Sequence, residues 1–223
     1  MGNKKYHIGL YEKAMPSALN WEEKLQCARD CGYDFVEISI DETDARLARL
    51  EWTAQERAQL RETMQKIGVP IRSMCLSGHR KYPFGASDPA VRRRSLEIME
   101  KAIQLSDDLG IRVIQLAGYD VYYEEGSEQT RKDFAENLKK AVEMAAVHGV
   151  VLGFETMETE FMNTVAKSMK YVDLIDNPYL GVYPDVGNLT NAAKTYGTSV
   201  LDDLETGRGH LVAIHLKETV PGK

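Results

Sequence analysis

Three ionisable residues recur at thirty-residue intervals in the second half of the chain. Glu155 lies in GFET, Asp185 in YPDVGN and His215 in AIHLKE, and each stands at the end of a short apolar run. In parallel α/β barrels, active-site groups stand at the carboxyl ends of the strands. Two carboxylates and an imidazole suit a divalent ion such as Zn, Mn or Co, without distinguishing among these ions. The spacing therefore predicts one metal site formed by three consecutive strands.

Each of these residues also has an ordinary structural interpretation. A glutamate at a strand end is commonly solvated, an aspartate close to a glycine commonly forms a turn, and a histidine after an apolar run commonly lies in the core. Finding all three at the ends of consecutive predicted strands favours a site. His210 is left out, because an odd offset from His215 places its side chain on the opposite face of the strand.

The elements that must position these residues alternate regularly along the chain. Seven β-type segments are predicted, at residues 7–11, 34–40, 70–77, 111–118, 150–156, 180–185 and 211–216. The amphipathic segments between them begin after residues typical of helix caps, namely Asn20, Thr53, Ser87, Ser127 and Asn163. Strands that alternate with helices predict βαβ units and a parallel sheet.

Seven strands are one fewer than the eight that close a (β/α)₈ barrel, which usually needs about 250 residues. No linker or change of composition divides the 223 residues, so a single domain is expected over residues 1–223. No glycine-rich phosphate-binding loop follows a predicted strand, which argues against a dinucleotide or P-loop fold. We expect an α/β fold of the (β/α)₈ TIM-barrel type, with about seven strands present and the final strand-eight unit lacking.

Composition and charge exclude several classes of partner. The net charge is −6, and no basic stripe is visible, so nucleic acid is not an expected partner. No apolar run is long enough to span a membrane or to act as a signal peptide, so a membrane partner is not expected either. Three cysteines without a regular spacing favour a reducing compartment, and we expect a cytoplasmic protein.

Five sequence segments together resemble the sugar-phosphate 3-epimerases of the xylose-isomerase-like barrel superfamily. These segments are GLYEKAMP, MCLSGHRKYPFG, IQLAGYDVYY, YPDVGN and HLKETVPG, and the resemblance runs from residue 6 to residue 223. Within the superfamily, the chain looks like the L-ribulose-5-phosphate (L-xylulose-5-phosphate) 3-epimerases of the bacterial L-ascorbate utilisation pathway.

The resemblance implies roles for the three spaced residues. Glu155 matches a metal-binding glutamate that is also the catalytic acid/base, Asp185 matches the strand-six ligand, and His215 matches the strand-seven ligand. The family's fourth ligand is a glutamate on strand eight, a strand that the 223 residues do not reach. Broader relatives carry a histidine where this chain has Asn188, and the change argues against a metal-dependent abasic-site endonuclease.

The implied reaction inverts C3 of a ketopentose 5-phosphate, converting L-xylulose 5-phosphate to L-ribulose 5-phosphate. One group removes the proton next to the C2 carbonyl, a divalent ion stabilises the enediolate, and a second group returns a proton to the opposite face. Since the second group is the expected strand-eight glutamate, we expect the chain to bind metal weakly and to have little activity alone. A homodimer is implied by the resemblance only.

Five residues are candidates for substrate binding. The segment SGHRKYPFG places His79 and Arg80 at the expected barrel mouth, where an arginine suits a phosphate and a histidine suits sugar hydroxyls. Lys217 follows His215 by two residues and should point the same way. Asn163 and Asn188 could bind hydroxyls, although asparagine is also common in caps and turns.

Two other interpretations of the sequence stay open. A related metal-dependent sugar or sugar-phosphate isomerase would use the same ligands, whereas phosphodiester hydrolysis is disfavoured by Asn188 and by the absence of a basic groove. A barrel that has lost catalysis through truncation is the alternative from outside the enzymes.

Overall fold

The computed structural model describes residues 6–219 and contains an alternating series of strands and helices. The strands are β1 (Gly9–Tyr11), β2 (Phe35–Ser39), β3 (Ile71–Leu76), β4 (Val113–Ala117), β5 (Val151–Glu155) and β6 (Leu180–Tyr183). The helices are α1 (Trp21–Asp30), α2 (Asp44–Leu47), α3 (Ala54–Ile67), α4 (Pro89–Leu109), α5 (Glu128–Val147), α6 (Val165–Ile175), α7 (Val186–Tyr196) and α8 (Val200–Thr206). No helix within residues 6–219 is both long enough and apolar enough to cross a membrane.

The six strands form one parallel sheet in the order β1-β2-β3-β4-β5-β6. Each strand pairs with the one that follows it in the chain, as successive βαβ units require. The register places Ala117, Glu155 and Tyr183 level with one another across β4, β5 and β6. The predicted parallel α/β order is confirmed, and the carboxyl ends of these strands meet at one end of the sheet.

The seventh predicted strand, residues 211–216, is not a continuous strand within the described part of the chain. It lies parallel to β6 and forms two isolated bridges, Val182 with Leu211 and Asp185 with His215. Between these bridges a regular parallel ladder would need an N–H donor from residue 184, and Pro184 has none. The backbone N–H of His215 instead donates to the Pro184 carbonyl at 2.8 Å, which shifts the pairing by one residue.

Two glycines let this seventh segment approach the sheet closely. A Cβ atom at Gly181 would lie 2.5 Å from the His210 carbonyl oxygen and 2.7 Å from the Val212 side chain. A Cβ atom at Gly153 would lie 2.6 Å from the same valine. Because real Cβ atoms do not come so close, larger residues at these positions would push the segment that carries His215 away from β6.

Most helix boundaries follow the predicted caps. Side-chain caps are present at Asn20, Thr53 and Ser127, and each forms a reciprocal capping box. Two caps lie one residue later than predicted: Asp88 instead of Ser87, and Thr164 instead of Asn163. Asp88 is the better cap because Pro89 at the first helical position has no N–H that needs a partner.

The two sides of the sheet differ in chemistry. Val36 and Ile38 of β2 are fully buried and belong to the main apolar core. Glu37 lies between them and points to the other side, where the Tyr183 hydroxyl of β6 donates to its carboxylate at 3.0 Å. Since β2 and β6 are not neighbours in the sheet, this contact shows that the sheet curls and encloses a polar interior.

Candidate active site

The structure brings Glu155, Asp185 and His215 together at one end of the curled sheet. Glu155 is the last residue of β5, Asp185 follows β6, and His215 forms the second bridge of the seventh segment. One ligand atom from each residue lies within 4.8 Å of the other two. This is the convergence that the thirty-residue spacing predicts, and their role as metal ligands stays a prediction.

The arrangement fits a divalent ion. In a tetrahedral site with bonds of ~2.1 Å, two ligand atoms lie about 3.4 Å apart, so atoms separated by up to 4.8 Å would have to move closer by about 1.4 Å. Asp185 is buried, and the side chains of Glu155 and His215 are 13% and 19% exposed. Two carboxylate oxygens and one imidazole nitrogen form a set that Zn²⁺ and Mn²⁺ accept.

His215 carries its two ring nitrogens toward different carboxylates. Its Nε2 atom lies 2.6 Å from Oε1 of Glu37, and its Nδ1 atom lies 3.5 Å from Oε1 of Glu155. Burial lowers the pKa of His215, but hydrogen bonds and charge from Glu155 and Glu37 outweigh burial and raise that pKa to about 10. Without a metal ion, the His215 ring therefore carries a proton on both nitrogens at neutral pH.

Gln115 of β4 completes the surroundings of this ring. Its amide nitrogen lies 3.0 Å from Nδ1 of His215, and its amide oxygen is buried without a partner among the described residues. An amide offers either a donor or an acceptor according to its orientation. The Gln115 amide nitrogen can therefore donate a hydrogen bond to the neutral ring. After the side-chain amide rotates, its oxygen can accept one from the imidazolium.

Glu37 also belongs to this site, although the sequence did not predict it there. The side chain is 3% exposed, and its Oε2 atom accepts hydrogen bonds from Ser73 at 2.7 Å and from Tyr183 at 3.0 Å. A charged residue in the middle of the apolar strand FVEIS was the available signal. A buried carboxylate needs partners, so Glu37 indicated a polar interior.

Asp185 is held by the start of α7 and by a lysine. Its Oδ1 atom accepts from the backbone N–H of Asn188 at 2.8 Å, and its Oδ2 atom lies 3.0 Å from Nζ of Lys217. The Asn188 side chain accepts from Lys217 at 3.2 Å and donates to the Thr156 carbonyl at 2.8 Å. Two predicted substrate-binding residues, Lys217 and Asn188, thus lie directly against a predicted metal ligand.

Arg80 lies beside aromatic residues of the loop after β4. Its guanidinium carbon is 4.8 Å from the ring centre of Tyr122 and 5.8 Å from that of Tyr119. The Tyr119 hydroxyl donates to Glu158 at 2.7 Å. The Nε–H of Arg80 is buried and has no acceptor among the described residues. An unsatisfied buried donor on a cation is suited to an anionic ligand.

The two other predicted substrate-binding residues lie in different surroundings. His79 is buried, its Nε2 atom is 3.1 Å from the Ser95 carbonyl, and its ring packs 4.5 Å from Phe84. Burial lowers the pKa of His79 to about 4, and the hydrogen bond to Ser95 only partly opposes this shift.

The side chain of Asn163, like that of His79, forms hydrogen bonds with neighbouring residues of the protein. Its side chain donates to the Tyr196 hydroxyl at 3.1 Å and accepts from Lys167 at 2.9 Å. The hydrogen bonds that the structure records for Asn163 and His79 do not involve the three clustered residues, so substrate binding by either stays a prediction without a supporting contact. Residues 220–223, which end the segment HLKETVPGK, lie outside the described residues.

Comparison with known proteins gives one family and several close relatives. The model of the xylose isomerase-like TIM barrel family matches residues 25–223. SgbU of Escherichia coli strain K12, provisionally named an L-ribulose-5-phosphate 3-epimerase, is 52% identical over 218 residues, covering 98% of this chain and 75% of its own. The L-ribulose-5-phosphate 3-epimerase UlaE of Escherichia coli O157:H7 is 48% identical over 222 residues, covering 100% of this chain and 77% of its own.

Solved structures share the fold at lower identity. The 3-keto-D-glucoside 4-epimerase YcjR of E. coli superposes with a TM-score of 0.78 at 19% identity, covering 96% of this chain and 80% of its own. A D-psicose 3-epimerase, solved with D-fructose, gives a TM-score of 0.79 at 17% identity, with coverages of 98% and 76%. An L-ribulose 3-epimerase gives 0.73 at 21% identity, with coverages of 95% and 70%. The predicted barrel fold is confirmed.

Proposed function

Because the chain belongs to the xylose isomerase-like TIM barrel family, we propose that it is an isomerase, a metal-dependent 3-epimerase that interconverts L-xylulose 5-phosphate and L-ribulose 5-phosphate. The observation that carries this proposal is the convergence of Glu155, Asp185 and His215 within 4.8 Å of one another. The two close relatives, whose names assign epimerisation of L-ribulose 5-phosphate, support the substrate.

The reaction needs a base beside C3 and a means of stabilising negative charge on the substrate. We assign the base to Glu155, whose carboxylate lies at the open end of β5 and is partly accessible. A divalent ion held by Glu155, Asp185 and His215 would supply charge stabilisation for the enediolate oxygens. Inversion also requires a second acid/base group on the opposite face of the sugar.

Other residues of the chain hold the site in position. The backbone N–H of Asn188 at the start of α7 and the ammonium group of Lys217 hold the buried Asp185 carboxylate in position. Lys217 and Asn188 lie within reach of a sugar hydroxyl bound next to Asp185. We propose that this pair orients the substrate oxygens.

The substrate phosphate is assigned to Arg80. Its buried Nε–H has no acceptor among the described residues, and the rings of Tyr119 and Tyr122 restrict the guanidinium group. A planar guanidinium recognises phosphate through paired N–H groups. Arg80 follows β3, so it lies at the same end of the sheet as the three clustered residues.

Solvent exchange at C3 tests the proposal, because it requires only the base and not the second proton transfer. The metal-stripped protein is supplied with Mn²⁺, Co²⁺ or Zn²⁺ and incubated with L-ribulose 5-phosphate in D₂O. NMR is expected to show loss of the C3 proton, with formation of L-xylulose 5-phosphate where both transfers occur.

Two variants distinguish exchange catalysed by this protein from exchange catalysed by a contaminating enzyme. Glu155→Gln should abolish C3 exchange, whereas Glu51→Gln, which alters an exposed carboxylate paired with Lys101, should exchange like the wild type. Absence of exchange with every metal, or equal exchange by Glu155→Gln, would contradict the proposal.

A further inference from the structure

The carboxylate of Glu37 holds the far side of the His215 ring. Its Oε1 atom lies 2.6 Å from Nε2, whereas Nδ1 faces Glu155 and Gln115. We propose that Glu37 is a positioning residue that fixes the orientation and tautomer of His215, so that Nδ1 is the atom presented to the metal ion. This inference rests on the metal site of the proposed function.

Glu37 is itself fixed on both sides. Ser73 of the adjacent β3 and Tyr183 from across the barrel both donate to its Oε2 atom. Both donors occupy the same oxygen, so the other oxygen is left for His215. The carboxylate is 3% exposed, and water does not compete for it. These contacts hold the Glu37 carboxylate in one orientation, with Oε1 directed toward the imidazole.

This contact determines which nitrogen of His215 can bind a metal. A neutral imidazole has one N–H and one lone pair, and the N–H faces the hydrogen-bond acceptor. A carboxylate accepts and cannot donate, so Glu37 selects the tautomer with the proton on Nε2. The Nδ1 lone pair then points toward Glu155, and the negative charge behind the ring increases its basicity as a ligand.

Glu37 does not act as a fourth ligand in this geometry. The two nitrogens of an imidazole ring point away from each other, so a carboxylate bonded to Nε2 lies behind the ring as seen from an ion on Nδ1. The group of ligand atoms within 4.8 Å contains Glu155, Asp185 and His215 without Glu37.

Metal affinity tests the inference without reference to turnover. The Kd for Zn²⁺ or Mn²⁺ is measured by chelator competition on the wild-type protein, on Glu37→Gln and on the control Glu51→Gln. Loss of a carboxylate that orients a metal-binding histidine typically weakens binding by about 10- to 100-fold. We expect that increase in Kd for Glu37→Gln and no change for Glu51→Gln.

The nitrogen signals of histidine provide a second readout that a general loss of stability would not reproduce. In the zinc-loaded wild type, ¹⁵N NMR is expected to show His215 protonated at Nε2 and metal-bound at Nδ1, with the assignment taken from His215→Asn. Glu37→Gln is expected to lose this single tautomer. A Kd within about twofold of wild type, together with the same tautomer, would overturn the inference.

The outcomes separate this inference from the function on which it rests. If the wild type binds no divalent ion, the proposed metal site fails, and the inference fails with it. If the wild type binds and Glu37→Gln binds equally with the same His215 tautomer, only the role of Glu37 is overturned. Should Glu37→Gln fail to fold, Ser73→Ala/Tyr183→Phe keeps the carboxylate and removes both of its donors. We expect a several-fold rise in Kd for that variant, and an unchanged Kd would contradict the inference.

Discussion

The ammonium group of Lys217 lies 3.0 Å from Oδ2 of Asp185, so a lysine occupies one oxygen of a proposed metal ligand. A cation at this position repels a divalent ion and competes with it for the carboxylate. The lysine side chain is 51% exposed, which weakens the effect through solvent screening. Oδ2 of Asp185 can therefore bind either Lys217 or a metal ion, and Lys217 must move away before the ion binds there.

Replacing Lys217 with methionine keeps the length of the side chain and removes its charge. We expect the Kd for Mn²⁺ to fall by about twofold to fivefold, the size of a half-exposed ion pair. Calorimetric titration measures this Kd. Lys66→Met, which removes an exposed lysine paired with Glu22, is the matched control and should leave the Kd unchanged. Weaker metal binding in Lys217→Met would contradict a competing role.

The proposed phosphate contact predicts a substrate-dependent effect of Arg80→Met. A hydrogen bond to a charged group contributes about 1.5–3 kcal/mol, so kcat/KM for C3 proton exchange of L-ribulose 5-phosphate should fall by about 10- to 100-fold. The same constant for unphosphorylated L-ribulose should change little. Arg112→Met, at an exposed arginine near Asp107, serves as the control. Equal losses on both sugars would show that Arg80 does not bind the phosphate.

Among the acidic residues, we expect replacement of Glu12 to lower the free energy of unfolding the most. Its buried carboxylate accepts from Lys24 at 2.7 Å and from Arg49 at 2.7 Å, and it also pairs with Arg46. Burial opposes its ionisation, but the bonds from Arg49 and Lys24 prevail and lower the pKa of Glu12 to about 2.

Glu12→Gln leaves these cations without their anion, and removing one partner of a buried ion pair costs about 3–5 kcal/mol. Urea denaturation should show that loss of unfolding free energy. Glu22→Gln, at an exposed carboxylate, is the control and should lower the free energy of unfolding by about 0–1 kcal/mol. A decrease as small as this for Glu12→Gln would contradict the prediction.

The shifted pKa of His79 makes the free energy of unfolding depend on pH in the mildly acidic range. Its pKa is lowered from 6.5 to about 4 in the folded protein. Between those values the unfolded chain binds a proton that the folded protein excludes, so the free energy of unfolding falls as the pH falls. The slope is at most about 1.4 kcal/mol per pH unit from this one residue.

The range from pH 6.5 to 4.5 isolates His79, because the contribution of Glu12 is lost only below 4.5. The raised pKa of His215 affects stability only above pH 6.5. Urea denaturation at both pH values should give a smaller pH dependence for His79→Gln than for the wild type. His148→Gln, at an exposed histidine, should behave like the wild type. A slope unchanged by His79→Gln would contradict the assignment.

The three clustered residues were predictable because each stands at the end of a predicted strand, and consecutive parallel strands end side by side. The charge of Glu37 within an apolar strand indicated a polar interior, but its partners were not predictable, since Tyr183 and His215 lie 146 and 178 residues away in sequence. Strand periodicity shows which residues alternate but does not show where a curled sheet closes on itself. His79 was assigned to the barrel mouth by its position in the loop, whereas burial against α4 depends on packing between distant segments.

The most direct test of the account is the binding of a divalent ion by Glu155, Asp185 and His215. Equilibrium dialysis of the metal-stripped protein against Mn²⁺ is compared among the wild type, Asp185→Asn, His215→Asn and the exposed control Glu51→Gln. We expect saturable binding of one ion per chain in the wild type and in Glu51→Gln, and loss of that binding in the other two variants. Equal binding by all four proteins, or none by the wild type, would contradict it.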